Sequence, residues 1–424
     1  MDLQKIYDIF LECNQEICTD TRAVKEGALF IALSGANFNG NKFIKKALDL
    51  GCLFAISDDP TYASNENVVL VDDVLGLLQE LANFHRKMFN IPVLGITGTN
   101  GKTTTKELLA SVLSEKYNVL STIGNLNNHI GVPLTLLRLR EEHEFAIVEM
   151  GANHIGDIKE LCEIAEPNFG VITNIGKAHM EGFGNFQNII ATKTELYNFV
   201  EEAKGRSFVN LNEKELVSES SVLIQPILYG GAAELNYELI MGSELLSLNI
   251  NTQNIQTKLF GNYNANNVLT AFRIGVHFKV NENLIKKALE AYTPSNNRSQ
   301  RTKTEKGNVL ILDAYNANPT SMNLAIDEFS EFSSDKIYIL GEMKELGSIS
   351  NEEHLKVMDR LSDKSNTVFY VGMAFKKFEN RYPQNFYANI DKLLASKKLN
   401  EISNSNILIK GSRSVKLDTL EEIL

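Results

Sequence analysis

The sequence predicts an α/β protein of three domains: a small N-terminal α/β domain, a central domain around a mostly parallel sheet, and a C-terminal doubly wound α/β domain. Length is the first reason, because 424 residues exceed what one ordinary hydrophobic core contains. Short apolar runs also alternate with segments of helical spacing, which is typical of parallel sheets covered by helices on both faces. A glycine-rich loop between one such run and a helix is the third observation.

The amino-acid composition indicates what kind of protein this is and which partners it does not favour. The 43% hydrophobic and 22% charged residues are typical of soluble globular proteins, and 42 Lys+Arg against 53 Asp+Glu give a net charge of -11. An acidic chain is a poor general binder of nucleic acid or of anionic membranes. The N-terminus does not resemble a secretory signal, and no run of about 18 apolar residues could span a membrane. We therefore expect a cytoplasmic protein without nucleic-acid partners or membrane insertion.

The four cysteines contain no CxxC pair. They are Cys13, Cys18, Cys52 and Cys162. In a reducing compartment, cysteines spaced in this way are more typical of small buried apolar side chains than of a disulfide framework or a zinc site. We expect them to be buried and unpaired.

Residues 1–90 form the predicted first domain. Three apolar runs are typical of short buried strands, and the segment 42–50 between the first two has helical spacing. The strand runs are 28–33, 54–56 and 68–71. Together these segments predict a small α/β domain.

Residues 91–292 form the predicted central domain. Apolar strand runs alternate with helical segments, and a helix from about 102 to 115 follows the glycine loop. The strand runs are 92–97, 145–148 and 170–173. This order predicts a parallel sheet with helices on both faces. Strand character within 204–260, strongest at 245–250, predicts an antiparallel extension.

Residues 293–424 form the predicted third domain. The turn-rich segment Tyr292-Thr293-Pro294-Ser295-Asn296-Asn297 marks its beginning. Four apolar runs, separated by helical segments, are found at 309–312, 336–340, 367–371 and 407–409. This pattern predicts a Rossmann-like α/β domain.

The segment 95–105, with the sequence GITGTNGKTTT, is the most informative local pattern. Its three glycines let the backbone fold tightly and turn N–H groups toward an anion at the start of the next helix. Lys102 would supply a charge for the outer phosphates, and the Thr103 hydroxyl could bind magnesium. The spacing is GxxGxxGKT rather than the GxxxxGK[ST] of the commonest GTPases and transporters. A glycine-rich turn beside a surface lysine is the alternative.

This phosphate loop resembles that of the Mur ligases and of the related folylpolyglutamate synthases. Members of both families activate a carboxylate as an acyl phosphate and then couple it to an amine. The resemblance runs in order through all three predicted domains. The matching segments are 20–22, 27–35, 98–104, 124–137, 149–154, 179–184, 193–195, 313–319, 341–347 and 410–414.

Within that family, the segments 124–137 and 149–154 are most similar to the ligases that add D-alanyl-D-alanine to UDP-N-acetylmuramoyl-tripeptide. The resemblance therefore implies these two substrates, together with ATP and an acyl-phosphate intermediate, and a central P-loop ATPase domain. It leaves open whether the third residue of the acceptor is diaminopimelate or lysine. A monomer is the default expectation.

The resemblance implies that ATP binds between the central and third domains. Asn266 and Asn267 would read the adenine, with helix capping as the alternative role. Asp313 would bind the ribose hydroxyls, and Arg298 would reach the γ-phosphate. The phosphate-binding residues would be Gly98, Thr99, Asn100, Gly101, Lys102, Thr103 and Thr104.

Two magnesium sites are also implied. Thr103 would hold one ion, while Glu149 and His179 would help to hold the second. A helix-capping surface carboxylate is the alternative for Glu149, and a structural role is the alternative for His179. Lys193 would be carbamylated and would then hold magnesium as an anion, which requires a neutral amine. The alternative for Lys193 is an ordinary solvated helix lysine.

Catalytic and substrate-binding residues complete the predicted site. Lys102, Lys193, His179 and Arg298 would be catalytic. The uridine nucleotide would bind to the first domain. The predicted substrate contacts are Thr21, Arg22, Ser34, Asn127, Asn128, Tyr315 and Asn316. Of these, Tyr315 and Asn316 would contact the dipeptide or the nucleotide, or would only support other residues.

Two other functions are alternatives for this sequence. Another ligase of the same superfamily would add one amino acid to a muramoyl or folate acceptor. A nucleotide-dependent switch or binding protein would form no new bond. Measuring phosphate release with and without both co-substrates separates these possibilities.

Overall fold

The computed structural model describes residues 2–35, 37–295, 297–332, 335–363 and 367–424. Within these ranges the chain is an α/β structure with parallel sheets packed against helices, so the predicted fold class is confirmed. The three larger sheets, two parallel and one parallel except for an edge strand, occupy successive stretches of chain, 17–70, 93–229 and 300–410.

The N-terminal part contains four parallel strands and a short hairpin. Its elements are α1 (Leu3–Glu12), β1 (Ile17–Cys18), β2 (Leu29–Ile31), β3 (Ser34–Gly35), β4 (Phe38–Asn39), α2 (Ile44–Asp49), β5 (Phe54–Ser57), β6 (Val68–Leu70) and α3 (Val74–Lys87). The sheet order is β1-β2-β5-β6, and β3 pairs with β4. The predicted strands are confirmed as β2, β5 and β6, while the predicted helix divides into a 3-10 turn and α2. The four cysteines are buried and free, as expected.

Helix α3 attaches this part to the central domain. The Nε2 of His85 lies 3.1 Å from the Leu139 carbonyl oxygen, and its Nδ1 lies 3.0 Å from the Tyr7 hydroxyl. A neutral imidazole satisfies both contacts, with Nε2–H donating and Nδ1 accepting. Only 1% of His85 is exposed. Burial lowers the pKa of His85 to about 4, with Arg140 acting in the same direction.

We expect His85→Gln to flatten the pH dependence of stability between about pH 7.5 and pH 5. Folded His85 stays neutral down to a pKa of about 4, whereas the unfolded chain takes up its proton near 6.5. The unfolded state therefore binds the proton first as pH falls, and the wild type should lose about 2 kcal/mol of unfolding free energy from this residue by pH 5. Urea unfolding at several pH values measures the difference. Equal slopes for the two proteins would contradict it.

The central domain supplies the largest set of elements. They are β7 (Val93–Thr97), α4 (Lys102–Leu113), β8 (Val119–Ser121), α5 (Gly131–Leu136), β9 (Phe145–Glu149), α6 (Asp157–Ala165), β10 (Phe169–Ile172), α7 (Met180–Phe183), α8 (Phe186–Glu202), β11 (Arg206–Asn210), α9 (Lys214–Glu219), β12 (Ile227–Tyr229), β13 (Tyr237–Leu239), β14 (Ser247–Ile250), β15 (Gln253–Gln256), α10 (Ala265–His277) and α11 (Glu282–Ala291). The sheet is parallel throughout, in the order β12-β11-β10-β7-β9-β8.

The antiparallel pairing predicted near 245–250 is confirmed, but its place in the fold is different. Strands β13, β14 and β15 form a sheet of their own instead of extending the parallel sheet. From the same stretch of sequence, β11 and β12 join the parallel sheet. The last four residues of β11 are buried, as expected for a strand covered on both faces.

Three neighbouring strands of the central sheet bring the functional segments together. The glycine loop follows β7, Glu149 ends β9, and Thr173 and Asn174 follow β10. Because parallel strands end at the same edge of a sheet, these residues meet there.

The C-terminal domain is a second α/β layer structure. Its elements are β16 (Gln300–Lys303), β17 (Val309–Asp313), α12 (Pro319–Ser330), β18 (Lys336–Gly341), α13 (Ser350–Arg360), β19 (Thr367–Val371), α14 (Met373–Lys376), β20 (Asn385–Tyr387), α15 (Ile390–Ala395) and β21 (Asn406–Lys410). The sheet order is β16-β17-β21-β18-β19-β20, in which β16 alone pairs antiparallel. The four predicted strands are confirmed as β17, β18, β19 and β21.

Strands β16 and β20 were not predicted. Both lie at the edges of the sheet and are only partly buried, so their sequences lack the apolar runs of the inner strands. The predicted break at 292–297 falls between α11 and β16. Asn296 in this break lies outside the described residues. In the ranges that the structure covers, none of the helices combines the length and the apolar character needed to cross a bilayer.

Candidate active site

A cavity of about 1390 Å³ opens where the central sheet edge faces the C-terminal domain. Most of the predicted site residues line it. These are Thr99, Asn100, Gly101, Lys102, Thr103, Thr104, Asn127, Asn128, Glu149, His179, Asn266, Asn267, Arg298, Asp313, Tyr315 and Asn316. Five predicted residues in the described chain lie outside the lining: Gly98, Lys193, Thr21, Arg22 and Ser34.

The glycine loop has a backbone that only glycine tolerates at two positions. Gly98 and Gly101 have φ angles of 145° and 79°. A Cβ atom on Gly98 would lie 2.0 Å from the Thr173 hydroxyl, and one on Gly101 would lie 2.5 Å from Asn267 Oδ1. Asn174 fixes the loop from β10, because its side-chain oxygen accepts the Asn100 N–H at 2.9 Å. The loop is therefore preformed at the start of α4.

Lys102 is half-buried and lies within the loop. Its ammonium donates to the carbonyl oxygens of Gly98 and Thr99 at 2.7 and 3.2 Å. Burial lowers the pKa of Lys102 to about 8, opposed by Glu149 and reinforced by Arg298. This setting contradicts the alternative of a surface lysine beside a turn.

Glu149 is a buried carboxylate with one free oxygen. The side chain is 1% exposed, which contradicts the alternative of a surface cap. Its Oε1 accepts from the Thr103 hydroxyl at 3.1 Å and from Asn127 Nδ2 at 2.8 Å. Its Oε2 is buried and has no hydrogen-bond partner among the described residues. A free anionic oxygen next to a threonine hydroxyl is a donor set that suits magnesium.

His179 faces the same cavity but is bound to the C-terminal domain. Its Nδ1 lies 2.5 Å from Glu345 Oε2, and this hydrogen bond is the main cause that lowers the pKa of the Glu345 carboxyl. His179 also has a left-handed backbone, with φ of 51°. The described residues contain no group of three or more His, Cys, Asp or Glu side chains arranged to hold a metal. Of the predicted metal ligands, Thr103 and Glu149 are the pair in direct contact.

Lys193 lies in α8, and only 2% of it is exposed. The alternative of a solvated helix lysine is therefore wrong. Burial, reinforced by the charge of Lys102, lowers the pKa of Lys193 well below its usual value. A lysine in this setting favours the neutral amine.

Asn266 and Asn267 lie in the first turn of α10 and have different surroundings. Asn267 Nδ2 donates to Asn264, and its Oδ1 accepts from Thr105. Asn266 Nδ2 donates to Glu213 Oε1 at 2.9 Å. These partners are side chains, so the helix-capping alternative does not describe the hydrogen bonds that the two amides make.

The C-terminal wall of the cavity carries several cations. Asp313 at the end of β17 pairs with Lys410 at the end of β21. Two guanidinium groups lie near the Tyr315 ring, with Arg298 at 3.6 Å and Arg413 at 5.1 Å from its centroid. The Nε of Arg298 is buried without a partner in the described part of the chain.

Several residues of this site were missed by the sequence analysis. Asn318 reaches the phosphate loop, since its Nδ2 donates to Asn100 Oδ1 at 2.7 Å. Glu345, Lys410 and Arg413 contact predicted residues from the segments 341–347 and 410–414. Those segments were recognised as matching, but the contacts join residues far apart in the chain, which local sequence patterns do not contain. Glu213 was also missed and lies in no recognised segment.

Other predicted substrate residues make local hydrogen bonds or lie in the N-terminal part. Asn128 Oδ1 accepts the Gly131 N–H at 2.9 Å at the start of α5. In the N-terminal part, Arg22 is exposed and pairs with Asp20 at 2.5 Å. Ser34 donates to Asn39 at 3.3 Å, while Thr21 is half-buried. Asn316 Oδ1 accepts its neighbour's N–H at 2.9 Å.

Family models match most of the chain. The Mur ligase middle domain matches residues 96–275, the Mur ligase glutamate ligase domain matches 297–413, and the Mur ligase family catalytic domain matches 15–86. A Bacillus subtilis protein named UDP-N-acetylmuramoyl-tripeptide–D-alanyl-D-alanine ligase is 34% identical, covering 95% of this chain and 92% of its own length.

Two solved structures are similar over nearly the whole chain. The crystal structure of MurF from Acinetobacter baumannii has a TM-score of 0.83 at 29% identity, covering 96% of this chain and 92% of the other. The MurF ligase from Thermotoga maritima in complex with ADP has a TM-score of 0.84 at 25% identity, covering 97% of both chains.

Proposed function

The chain belongs to the Mur ligase family, and from this premise we propose that it joins D-alanyl-D-alanine to UDP-N-acetylmuramoyl-tripeptide, cleaving ATP to ADP and phosphate. One observation carries the proposal: the glycine loop, the buried carboxylate Glu149 and the cation Arg298 meet in one cavity. The name of the Bacillus subtilis relative supplies the two substrates, and the ADP complex of the Thermotoga maritima protein supports the nucleotide.

The loop would bind the triphosphate of ATP. The backbone N–H groups of Thr99 and Asn100 are bonded to Asn174, whereas those of residues 101–104, at the N-terminus of α4, have no acceptor among the described residues and suit an anion at the positive end of a helix. Lys102 and Arg298 would offset the repulsion between the acceptor carboxylate and the γ-phosphate. Asp313 would bind the ribose hydroxyls.

Thr103 would hold one magnesium, and the free oxygen of Glu149, with His179 and a carbamylated Lys193, would help to hold the second. The metal would supply positive charge that offsets the charge of the phosphates. The free Glu149 Oε2 supports this proposal, because a buried anionic oxygen without a partner is costly unless a ligand compensates it.

The reaction would proceed through an acyl phosphate. An oxygen of the tripeptide carboxylate attacks the γ-phosphorus, an O–P bond forms, and the bond to ADP breaks. The amino group of the dipeptide then attacks the acyl carbon, loses a proton and expels phosphate. Enclosure between two domains would keep water from the acyl phosphate, and the Asn318–Asn100 and His179–Glu345 contacts support a closed arrangement.

The dipeptide would bind at the C-terminal wall. Tyr315 and Asn316 line the cavity there, and two guanidinium groups lie near Tyr315, which suits a ligand with a free carboxylate. The uridine nucleotide would bind to the N-terminal part, at Thr21, Arg22 and Ser34, and the muramoyl peptide would pass Asn127 and Asn128. We further propose a monomer that works in the cytoplasm.

The test is product formation by the purified protein. With ATP, magnesium, the nucleotide tripeptide and D-alanyl-D-alanine, mass spectrometry should detect the pentapeptide product. Leaving out the dipeptide should lower phosphate release by at least about tenfold, because the acyl phosphate then has no acceptor. Tripeptides ending in lysine and in diaminopimelate, tested side by side, identify the acceptor.

Each rival function has its own outcome in this assay. A ligase of the same superfamily that adds one amino acid to another muramoyl or folate acceptor would form no pentapeptide from these substrates. A nucleotide switch would release phosphate equally well with and without the dipeptide. Either result would overturn the proposed function.

A further inference from the structure

Two neighbouring asparagines, Asn266 and Asn267, indicate which end of the cavity would hold the nucleotide base. Asn267 is held against the phosphate loop, since its Oδ1 accepts from the Thr105 hydroxyl at 3.1 Å and its Nδ2 donates to Asn264 at 2.8 Å. The same Oδ1 lies within 2.5 Å of where a Cβ on Gly101 would be. Asn267 therefore supports the loop, and both polar atoms of its side chain already have partners in the protein.

Asn266 does not share the partners of Asn267, and its side chain is fixed by two other residues. Its Nδ2 donates to Glu213 Oε1, and its Oδ1 accepts from Asn212 Nδ2, both at 2.9 Å. Both ends of the amide are thereby assigned, which fixes its orientation. Glu213, which accepts the hydrogen bond from Asn266, also lines the cavity.

The carboxylate of Glu213 does not cap the helix that follows it. The residue is at the N-cap of α9, yet its side chain makes no capping hydrogen bond. Its Oε1 accepts from Asn266, and in the described ranges its Oε2 accepts no hydrogen bond. Burial raises the pKa of this carboxyl, and the hydrogen bond from Asn266 acts against the rise. A half-buried acceptor in a ligand cavity is thus left without a donor.

We infer that Glu213 Oε2 accepts a hydrogen bond from the 6-amino group of adenine and so selects ATP over nucleotides with a 6-oxo purine. The inference rests on the proposed use of ATP. An ionised carboxylate only accepts hydrogen bonds, and the 6-amino group of adenine only donates them. Guanine and hypoxanthine carry a carbonyl oxygen at the same position, so two acceptors would face each other there. A site built for one hydrogen-bonding pattern rejects its opposite because a buried group is left unpaired.

The test compares ATP with inosine triphosphate, which carries an oxo group in place of the 6-amino group. The wild type should prefer ATP in kcat/KM. In Glu213→Gln the side-chain amide can turn its N–H toward the oxo group, so the ATP-to-ITP ratio should fall by about tenfold or more. In Glu213→Ala the acceptor is gone, and the two nucleotides should bind about equally. Thermal unfolding verifies that both variants are folded.

Glu215→Gln is the matched control. It removes the same charge from the same short helix, but Glu215 is not among the lining residues of the described cavity. Its ATP-to-ITP ratio should equal that of the wild type. An unchanged ratio in both Glu213 variants, or an equal change in Glu215→Gln, would overturn the inference.

Equilibrium binding of ATP and ITP to the same proteins separates this inference from the proposed function. Binding needs no dipeptide ligation, so a wild type that prefers ATP but forms no pentapeptide would refute the function and not the role of Glu213. Loss of the preference in Glu213→Gln, with pentapeptide formation retained, would support both.

Discussion

Replacing Lys102 by Ala should lower kcat/KM for ATP by about a thousandfold or more, because one positive charge is lost where phosphate charge develops. The fold should survive. Among the described residues, the Lys102 ammonium bonds to the carbonyl oxygens of Gly98 and Thr99, and water in the cavity can replace those bonds. ADP formation under saturating tripeptide and dipeptide measures the loss, and the thermal unfolding midpoint measures the fold.

Lys102 should also determine part of the pH dependence of KM for ATP. In the free protein the pKa of Lys102 is lowered to about 8, mainly by burial. As pH rises through this value the ammonium loses its proton and its attraction for the triphosphate, so KM for ATP should increase. The guanidinium of Lys102→Arg keeps its charge over this pH range, so KM for ATP should not increase in that variant. Identical profiles for the two proteins, or ADP formation retained in Lys102→Ala, would contradict the phosphate role of the loop.

The loop could be predicted because its function is local. Three glycines, a lysine and a threonine lie within one short segment, and a strand and a helix on either side determine how that segment turns. The place of Glu149 at the end of a buried strand followed in the same way from the apolar run 145–148. The inner strands of the C-terminal sheet, and β7, β9 and β10 of the central sheet, were predictable for the same reason, since each is a short apolar run. The inner strand β11 was not predicted as a member of the parallel sheet.

Contacts between distant segments could not be predicted. Asn318 and Asn100 are 218 residues apart, and Asn267 and Thr105 are 162 apart. Their side chains meet only because two sheets and the helices on them are already packed. Without that geometry, the sequence does not show that Asn267 is also bonded to Thr105, and its role in reading the adenine stays a prediction. Glu213, which occurs in no glycine-rich or apolar pattern, carries no signal in the sequence.

Removing carbon dioxide from the buffers should lower turnover of the wild type by about 10- to 100-fold, and bicarbonate should restore it. The neutral amine of Lys193 would attack carbon dioxide, forming an N–C bond and releasing a proton, which leaves a carbamate anion near Lys102. Two features of the structure favour this reaction. The side chain is 2% exposed, and burial together with the Lys102 charge lowers its pKa well below the usual value.

Lys106 provides a matched control within the same domain. It is also buried, at 3% exposed, but its ammonium donates to the Thr122 carbonyl oxygen at 2.9 Å and lies 3.6 Å from Glu107. Because both partners engage its nitrogen, Lys106 is not expected to take up carbon dioxide. Carbon-13 NMR with labelled bicarbonate should therefore give a carbamate signal in the wild type and in Lys106→Met but not in Lys193→Gln. Activity that is independent of carbon dioxide, or a signal that persists in Lys193→Gln, would show that Lys193 acts as an unmodified amine, and the second magnesium would then need another anionic ligand.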